Sequence, residues 1–210
     1  MAPIRIGFIG LSANRDDAWA NYSHLPYLQS PAGKEKYTIV ALANTSAEAA
    51  LKAIEAFKLP ASTKAYGSPE DLAADPNVDL VVVSVNVNDH YKLIKPALLA
   101  GKDAYVEWPL SRNLDEVKEL HALAKEHGSK TIVGLQGRFD PLADQLRSII
   151  QSGKIGDVLS ATFTIHCAIF GSSIPKTAEY VLDSKAGGNL ATILLSHSEP
   201  LFLAASVQNN

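Results

Sequence analysis

Residues 4 to 12 read IRIGFIGLS, a β-branched apolar run that leads into a glycine turn. Such a run is typical of a buried strand, and the free N–H groups of a helix that starts after the turn can bind an anion. Of the dinucleotide fingerprint G-x-G-x-x-G only Gly10 is kept, because Ser12 and Arg15 stand at the other glycine positions. The pattern predicts dinucleotide contacts from Gly10, Leu11 and Ser12, with a turn that binds no ligand as the alternative.

Strand-like and helix-like segments alternate from this stretch to residue 151. This alternation predicts βαβ units, which build a parallel sheet with helices on both faces. The predicted strands are nearly continuous apolar runs, as expected of parallel strands that are buried on both sides. We therefore expect an α/β fold with a doubly wound parallel sheet. The predicted strands cover residues 4–9, 37–43, 79–85, 104–107 and 131–135, and the predicted helices cover 16–28, 46–57, 68–74, 89–100, 113–127 and 142–151.

The sequence changes character after Gly156, and we place the domain boundary earlier, at residue 138. Residues 1–138 carry the doubly wound sheet, and residues 139–210 are predicted to form an incomplete α+β domain. Residues 157–168 alternate in part, which predicts a half-exposed strand of another sheet, and residues 178–183 predict a short helix. These elements are too few to close a sheet, so we expect only part of a second domain.

The composition is that of an ordinary globular protein, with 47% hydrophobic and 20% charged residues among 210. The net charge is −3 and no run of five like charges occurs, which argues against binding to nucleic acid or to a membrane surface. The single cysteine, Cys167, excludes an internal disulfide and fits a reducing compartment. The start of the chain lacks the features of a signal peptide, so we expect a cytoplasmic protein, with the nucleus as a second location. Metal-ligand spacing is absent, and we expect no metal site.

Polar residues follow the second and the fifth predicted strands. The second strand ends in Asn44 and Thr45 instead of the carboxylate that commonly holds an NAD ribose, and no arginine follows to hold a 2′-phosphate. Both side chains can hydrogen-bond a sugar, and the alternative is that they only cap the next helix. Gln136 follows the fifth strand, where it can touch cofactor or substrate. These residues leave the choice between NAD and NADP open.

Four segments in this order resemble the glucose–fructose oxidoreductase/inositol dehydrogenase (Gfo/Idh/MocA) family. They read IRIGFIGL…HLPYL, VVVSVNVNDHYKLIKPALLAGKDAYVEWPL, GLQGRFDP and SGKIGDVLS, and the resemblance covers nearly all of residues 4–197. Within the family, the chain is most similar to the fungal branch that contains the galactose-pathway corepressor. The resemblance implies a Rossmann domain that binds NAD or NADP, followed by an open antiparallel sheet that covers the nicotinamide and often forms the subunit interface.

The resemblance also assigns roles at the end of the fourth predicted strand. Family enzymes usually carry Glu-Lys-Pro where this chain reads Glu107-Trp108-Pro109, and the lysine helps to bind substrate and to move a proton. An indole N–H only donates a hydrogen bond, so Trp108 either stacks on the nicotinamide or is a core residue. Glu107 either faces the cofactor ribose or is a solvated acid. The peptide bond before Pro109 is cis at the matching position of relatives, so the resemblance implies a cis bond here. Further cofactor contacts are implied for Val85, Asn86 and His90.

A candidate catalytic residue lies near the end of the chain. Family enzymes pair an aspartate with a histidine four residues later, and His197 matches that histidine, whereas Ile193 stands at the aspartate position. A histidine can exchange a proton near neutral pH, so His197 is the candidate, with an ordinary surface or hydrogen-bonded histidine as the alternative. The family's second sheet continues well past His197, so we expect a C-terminally truncated member.

Two functions from different classes fit these features. The first is that of an NAD(P)-dependent oxidoreductase that transfers a hydride to or from a small polyhydroxylated or fungal-metabolite substrate, although the missing lysine and aspartate count against turnover. The alternative is a non-catalytic NAD(P)-sensing transcriptional coregulator that resembles the galactose-pathway corepressor. The expected partners are the dinucleotide, an unidentified small-molecule substrate, and either a second copy of the chain or another protein.

Overall fold

The structure is a computed structural model, and it describes residues 2–15, 18–162, 164, 173–174, 176–189 and 191–198. The chain divides into two compact units, Met1–Gly134 and Leu135–Asn210. The predicted domain boundary at residue 138 lies slightly further along the chain and stays a prediction.

A six-stranded parallel sheet forms the centre of the first unit. Its strands are β1 Ile4–Ile9, β2 Tyr37–Ala43, β3 Lys64–Tyr66, β4 Leu80–Val83, β5 Asp103–Glu107 and β6 Thr131–Gly134. Their order in the sheet is β3-β2-β1-β4-β5-β6, and every neighbouring pair is parallel. This is the order of doubly wound dinucleotide-binding folds, in which the direction of winding reverses between β1 and β4. The predicted α/β class is confirmed.

Helices connect these strands and start at side chains that cap them. Ser46, Ser68 and Asn113 each accept a hydrogen bond from the backbone N–H three residues later, at 3.0 to 3.1 Å. Such caps satisfy N–H groups that have no partner inside the helix. The helices of the first unit are α1 Leu25–Gln29, α2 Pro31–Lys36, α3 Ala47–Ala56, α4 Pro69–Ala74, α5 Val87–Leu99 and α6 Leu114–His127.

Two apolar clusters cover the two faces of the sheet. One packs Val81 and Val83 of β4 against Ile94 of α5, and the other packs Val82 of β4 against Leu11 and other residues from the β1 and β2 side. Successive residues of a strand point to opposite faces, so an all-apolar strand such as β4 serves both clusters.

The structure differs from the prediction at three elements of the first unit. Helix α2 Pro31–Lys36 was not predicted. The helix predicted over 16–28 is a π-helical segment, Ala20–His24, that leads into α1, and residues 16 and 17 lie outside the described residues. The strand β3 was missed, because three residues with a lysine among them are too short to show a strand pattern.

The described residues of the second unit are helical where they are regular. They contain α7 Pro141–Gln151 and short 3₁₀ or π-helical segments at Gln136–Phe139, Lys176–Leu182, Ser184–Ala186 and Ala191–Leu195. The strand predicted over 157–168 is not formed at residues 157–162, and most of its remainder, with Cys167, lies outside the described residues. A strand needs a neighbour for its backbone hydrogen bonds, and the described part of this unit offers none. Across the described ranges, no helix has the length and apolar character needed to span a bilayer.

Candidate functional site

The carboxyl ends of the three central strands form one row. Ile9 of β1 and Val106 of β5 both lie opposite Val83 of β4. One residue further along, the same register places Gly10, Ser84 and Glu107 next to one another. The reversal of winding lies between the first two of these strands, and open α/β sheets bind their ligands at that point.

Gly10 fills its place in this row because it has no side chain. Its φ is +114°, in the region that favours glycine, and a Cβ would overlap the carbonyl oxygen of Ser84. The Ser84 N–H donates to the Ile9 carbonyl at 3.0 Å, which holds the two backbones together. A glycine at the switch point suits a dinucleotide, because the phosphates must approach the backbone closely.

Asn21 holds the turn that follows Gly10. Its Nδ2 donates to the carbonyl oxygens of Ser12 at 2.8 Å and Arg15 at 3.0 Å, and its Oδ1 accepts from the Ser12 N–H at 3.4 Å. Leu11 is buried in the core, so only its backbone is available to a ligand. An amide from the π-helical segment therefore shapes a turn that lacks two of the three fingerprint glycines.

Asn44 fastens the end of β2 to the same turn. Its Nδ2 donates to the Leu11 carbonyl at 2.8 Å, whereas Thr45 is exposed. The residue that caps α3 is Ser46, so capping does not account for Asn44 or Thr45. Their contacts to a ribose stay a prediction.

Glu107 lies at the end of β5 and pairs with a histidine that the sequence did not single out. His24 Nε2 and Glu107 Oε1 form a hydrogen-bonded pair, and the Tyr105 hydroxyl also donates to Glu107, at 3.4 Å. The His24 ring packs edge-to-face on Tyr105 and Phe8, with ring centroids 5.4 and 6.0 Å apart. Glu107 is only 8% exposed, so the alternative of a solvated acid is wrong. The pair is 83 residues apart in sequence, which is why no local motif pointed to His24.

His90 joins the two loops that follow β4 and β5. Its Nδ1 lies 2.7 Å from the Pro109 carbonyl oxygen and its Nε2 lies 3.0 Å from the Val85 carbonyl oxygen. The residue is 1% exposed, and burial lowers the pKa of its imidazole although both carbonyls favour the charged form. A side chain in this position acts on the shape of the site, because it fixes backbone on both sides of it.

Two further residues predicted to contact the cofactor lie near these loops. Asn86 caps α5, its Oδ1 accepting from the Asn88 N–H at 3.1 Å. Trp108 is half-buried, and its peptide bond to Pro109 is cis, as the family resemblance implied. Stacking of Trp108 on a nicotinamide stays a prediction.

The predicted residues of the second unit lie close to each other. Gln136 is half-buried in the segment Gln136–Phe139, and a Cβ on Gly137 would overlap the carbonyl oxygen of His197. Ile193 and His197 are one helical turn apart, and the Ile193 N–H donates to the Asn189 carbonyl at 2.9 Å. A role for His197 in catalysis stays a prediction. Within the described ranges, no three His, Cys, Asp or Glu residues are grouped so that they could hold a metal ion.

Both parts of the chain match models of known protein families. Residues 4–135 match the family model described as "Oxidoreductase family, NAD-binding Rossmann fold", and residues 141–205 match the model described as "Gal80p, C-terminal domain". The dehydrogenase aclE of Aspergillus oryzae is 38% identical over 194 residues, which are 92% of this chain and 52% of that protein.

A regulatory protein and a reductase are also similar. The galactose/lactose metabolism regulatory protein GAL80 of Saccharomyces cerevisiae is 30% identical over 94% of this chain and 46% of its own length. The crystal structure of a super-repressor mutant of that protein has a TM-score of 0.83 at 28% identity, over 98% of this chain and 53% of that one. KijD10, a 3-ketoreductase from Actinomadura kijaniata in complex with NADP, has a TM-score of 0.61 at 26% identity, over 74% of this chain and 46% of that one.

The chain spans about half the length of the curated relatives it matches, 52% and 46%. The first family model covers more than half of the chain, and the strand order and the Gly10 turn agree with it. The chain therefore belongs to the oxidoreductase family with an NAD-binding Rossmann fold, the Gfo/Idh/MocA family.

Proposed function

We propose that the carboxyl edge of the sheet binds NAD or NADP as part of an oxidoreductase that transfers a hydride to or from a small polyhydroxylated or fungal-metabolite substrate. The observation that carries this proposal is the close approach of Gly10 to the Ser84 carbonyl, at the point where the winding of the sheet reverses. When bound, the nicotinamide supplies the hydride chemistry. The similarity to a dehydrogenase and to a ketoreductase in complex with NADP supports the same class.

The proposed contacts follow the row of strand ends. The turn at Gly10, Leu11 and Ser12 offers backbone to the diphosphate, because N–H groups at such a turn favour anions. Asn44 and Thr45 lie beside the adenosine ribose. The nicotinamide half is held by Val85, Asn86, His90, Glu107 and Trp108.

A second function, that of a non-catalytic coregulator that senses NAD(P), has its own support. An indole at position 108 cannot exchange a proton near neutral pH, and the half-buried Trp108 stands where family enzymes have a lysine. Residues 141–205 match a domain model named for Gal80p, and the relative of that name is a regulatory protein. In this function the bound dinucleotide changes affinity for a protein partner.

One titration separates the two functions. The purified full chain is titrated with NADH and with NADPH while cofactor fluorescence is followed, and a panel of polyols and sugars is then added with the oxidised cofactors. We expect binding of at least one cofactor, and reduced cofactor appearing with part of the panel identifies the enzyme. Binding without any turnover favours the coregulator. Failure to bind either cofactor contradicts both functions.

Trp108→Ala tests the nicotinamide assignment. Loss of stacking on one ring is worth about 1 kcal/mol, so NADH binding should weaken roughly fivefold while ADP-ribose, which lacks that ring, binds as before. Trp108→Phe keeps an aromatic face and serves as the control. Equal losses for both ligands would place Trp108 in the core instead.

A further inference from the structure

A buried hydroxyl without a partner lies in the middle of the row of strand ends. Ser84 is 7% exposed, and its Oγ has no hydrogen-bond partner among the described residues. The Ser84 backbone, in contrast, is used, because its N–H donates to the Ile9 carbonyl and its own carbonyl faces Gly10. Buried hydroxyl groups are nearly always hydrogen-bonded, since an unpaired one has lost its bonds to water and gained nothing. Such an exception calls for a partner beyond the described residues, such as a bound ligand.

The alternation of β4 shows on which side of the sheet this hydroxyl lies. Leu80 and Val82 precede Ser84 at intervals of two residues, and both pack in the cluster that contains Leu11 and Ala20. Side chains two residues apart along a strand share a face. Ser84 therefore lies on the face that carries the connection after β1, which begins at the Gly10 turn.

In this connection, one backbone N–H that could bind an anion is already engaged. Ser12 stands at the second glycine position, and its N–H already faces Asn21 Oδ1 at 3.4 Å. In a doubly wound fold the diphosphate of a dinucleotide crosses the sheet edge at the start of the helix after β1. Ser84 is at the switch point, where its carbonyl faces Gly10, and the alternation of β4 places its hydroxyl on the face that carries this turn.

We propose that Ser84 Oγ donates a hydrogen bond to a diphosphate oxygen of the bound dinucleotide, and so supplements a turn in which one N–H is already engaged. The inference rests on the proposed binding of NAD(P). A bond to a charged oxygen is stronger than one between neutral groups, so a single hydroxyl has a measurable effect on affinity. Because this hydroxyl has no partner among the described residues, its removal should leave the fold as stable as before or more stable.

Ser84→Ala tests the proposal, with Ser129→Ala as a matched control. Ser129 carries the other buried hydroxyl without a partner among the described residues, but it lies between α6 and β6, before the strand begins and not after it ends. The full-length variants are titrated with NADH and NADPH, ADP-ribose affinity is measured by competition, and thermal unfolding is recorded without ligand. Ser84→Cys, which is close in size and a weaker donor, is a third variant.

The expected result has three parts. Ser84→Ala lowers the affinity for ADP-ribose, and for whichever reduced cofactor the wild type binds, by the same factor of about ten. Ser84→Cys falls between it and the wild type, and Ser129→Ala binds like the wild type. The unfolding temperature of Ser84→Ala is equal to or above that of the wild type.

Other results overturn the proposal in distinguishable ways. Unchanged affinity of Ser84→Ala, or an equal loss in Ser129→Ala, removes Ser84 from the site while the proposed function stands. A loss with the reduced cofactor that is absent with ADP-ribose rejects the diphosphate contact. If the wild type binds none of the three ligands, the proposed function fails and this inference fails with it.

Discussion

The two ends of the six-stranded sheet are built differently. At the amino ends, the charged side chains at β4 form ion pairs: Asp79 accepts two hydrogen bonds from the Arg5 guanidinium, at 2.6 and 2.9 Å, and Asp75 pairs with Lys64 at 3.1 Å. At the carboxyl ends, Gly10 adopts a positive φ against a carbonyl, and Ser84 has a hydroxyl without a partner among the described residues.

This difference separates stability from binding. Satisfied ion pairs stabilise the fold and leave little for a ligand to add. A glycine whose place admits no side chain, and a buried hydroxyl without a partner among the described residues, do the opposite, since a ligand can use both. If the comparison is correct, substitutions at the amino ends change stability and leave cofactor affinity unaltered, whereas those at the carboxyl ends change affinity.

Gly10→Ala should have the largest effect. A left-handed φ and the overlap of a Cβ with the Ser84 carbonyl together cost about 4 kcal/mol of unfolding free energy, and the cofactor should no longer bind. Gly128→Ala is the control, because Gly128 also has a positive φ of 70° but nothing lies within 4 Å of its Cβ position, so about 1 kcal/mol is expected. Urea unfolding of both variants measures the difference, and equal losses would remove steric overlap as the cause.

His90→Phe should come next. Phenylalanine fits a buried aromatic position but has no ring N–H, so it removes the hydrogen bond that His90 donates to the Val85 or the Pro109 carbonyl, at a cost of about 3 kcal/mol. Because these carbonyls belong to loops at the carboxyl edge, cofactor affinity should fall as well. The exposed His121→Phe is the control for both readouts. A loss of stability with unaltered affinity would mean that the loops keep their shape without His90.

Asp75→Asn tests the amino ends. Burial raises the pKa of Asp75, but hydrogen bonds from the Asn77 backbone, Lys64 and Tyr66 outweigh it and hold the pKa at about 2, against an ordinary 3.8. At about 1.4 kcal/mol per pKa unit, the ionised side chain contributes about 2 kcal/mol, and its side chain is 1% exposed, so solvent screens little of this.

The sign of the pH dependence follows from the lowered pKa. The contribution of Asp75 is complete above about pH 4 and is lost as the pH falls towards 2. The difference in unfolding free energy between wild type and Asp75→Asn should therefore shrink over this interval, while cofactor affinity at pH 7 is the same for both. A variant that binds the cofactor more weakly at pH 7 would break the distinction between the two ends.

Arg5→Lys should have the smallest effect. The Arg5–Asp79 pair is nearly half exposed, so solvent screens it, although a lysine cannot reproduce its two parallel hydrogen bonds. We expect a barely measurable loss of stability that decreases further in salt, and no change in cofactor affinity. A loss as large as that of Asp75→Asn would show that this exposed pair matters more than its exposure implies.

Much of the fold was predictable from local pattern. The strand at residues 37–43 and the helix that ends before Gly128 agree with the structure because apolar runs and capping residues act within a few positions. The helix predicted over 16–28 was only partly right, because Ala20–His24 is π-helical, and the short β3 was missed, because it depends on pairing with β2. The strand predicted over 157–168 is not formed at residues 157–162, since a local pattern does not show whether a partner strand is present.

The site was predictable only where backbone geometry demands a residue type. Gly10 could be found because its turn needs a glycine. His24, Asn21 and Ser84 could not, because the role of each side chain depends on what lies opposite it. For His24 that is a carboxylate 83 residues away, for Asn21 two carbonyls of a turn, and for Ser84 no partner among the described residues.

The amide of Asn21 has a consequence for how such proteins are recognised. By holding the Ser12 and Arg15 carbonyls, it fixes a turn that keeps only one of the three fingerprint glycines. Hydrogen bonds from a side chain can thus hold a turn at this place in the fold, and such a turn leaves no trace in a motif search. A search that counts glycines therefore underestimates how many chains can build such a loop. The chains that it misses should be sought among those with an asparagine one turn into the following helix.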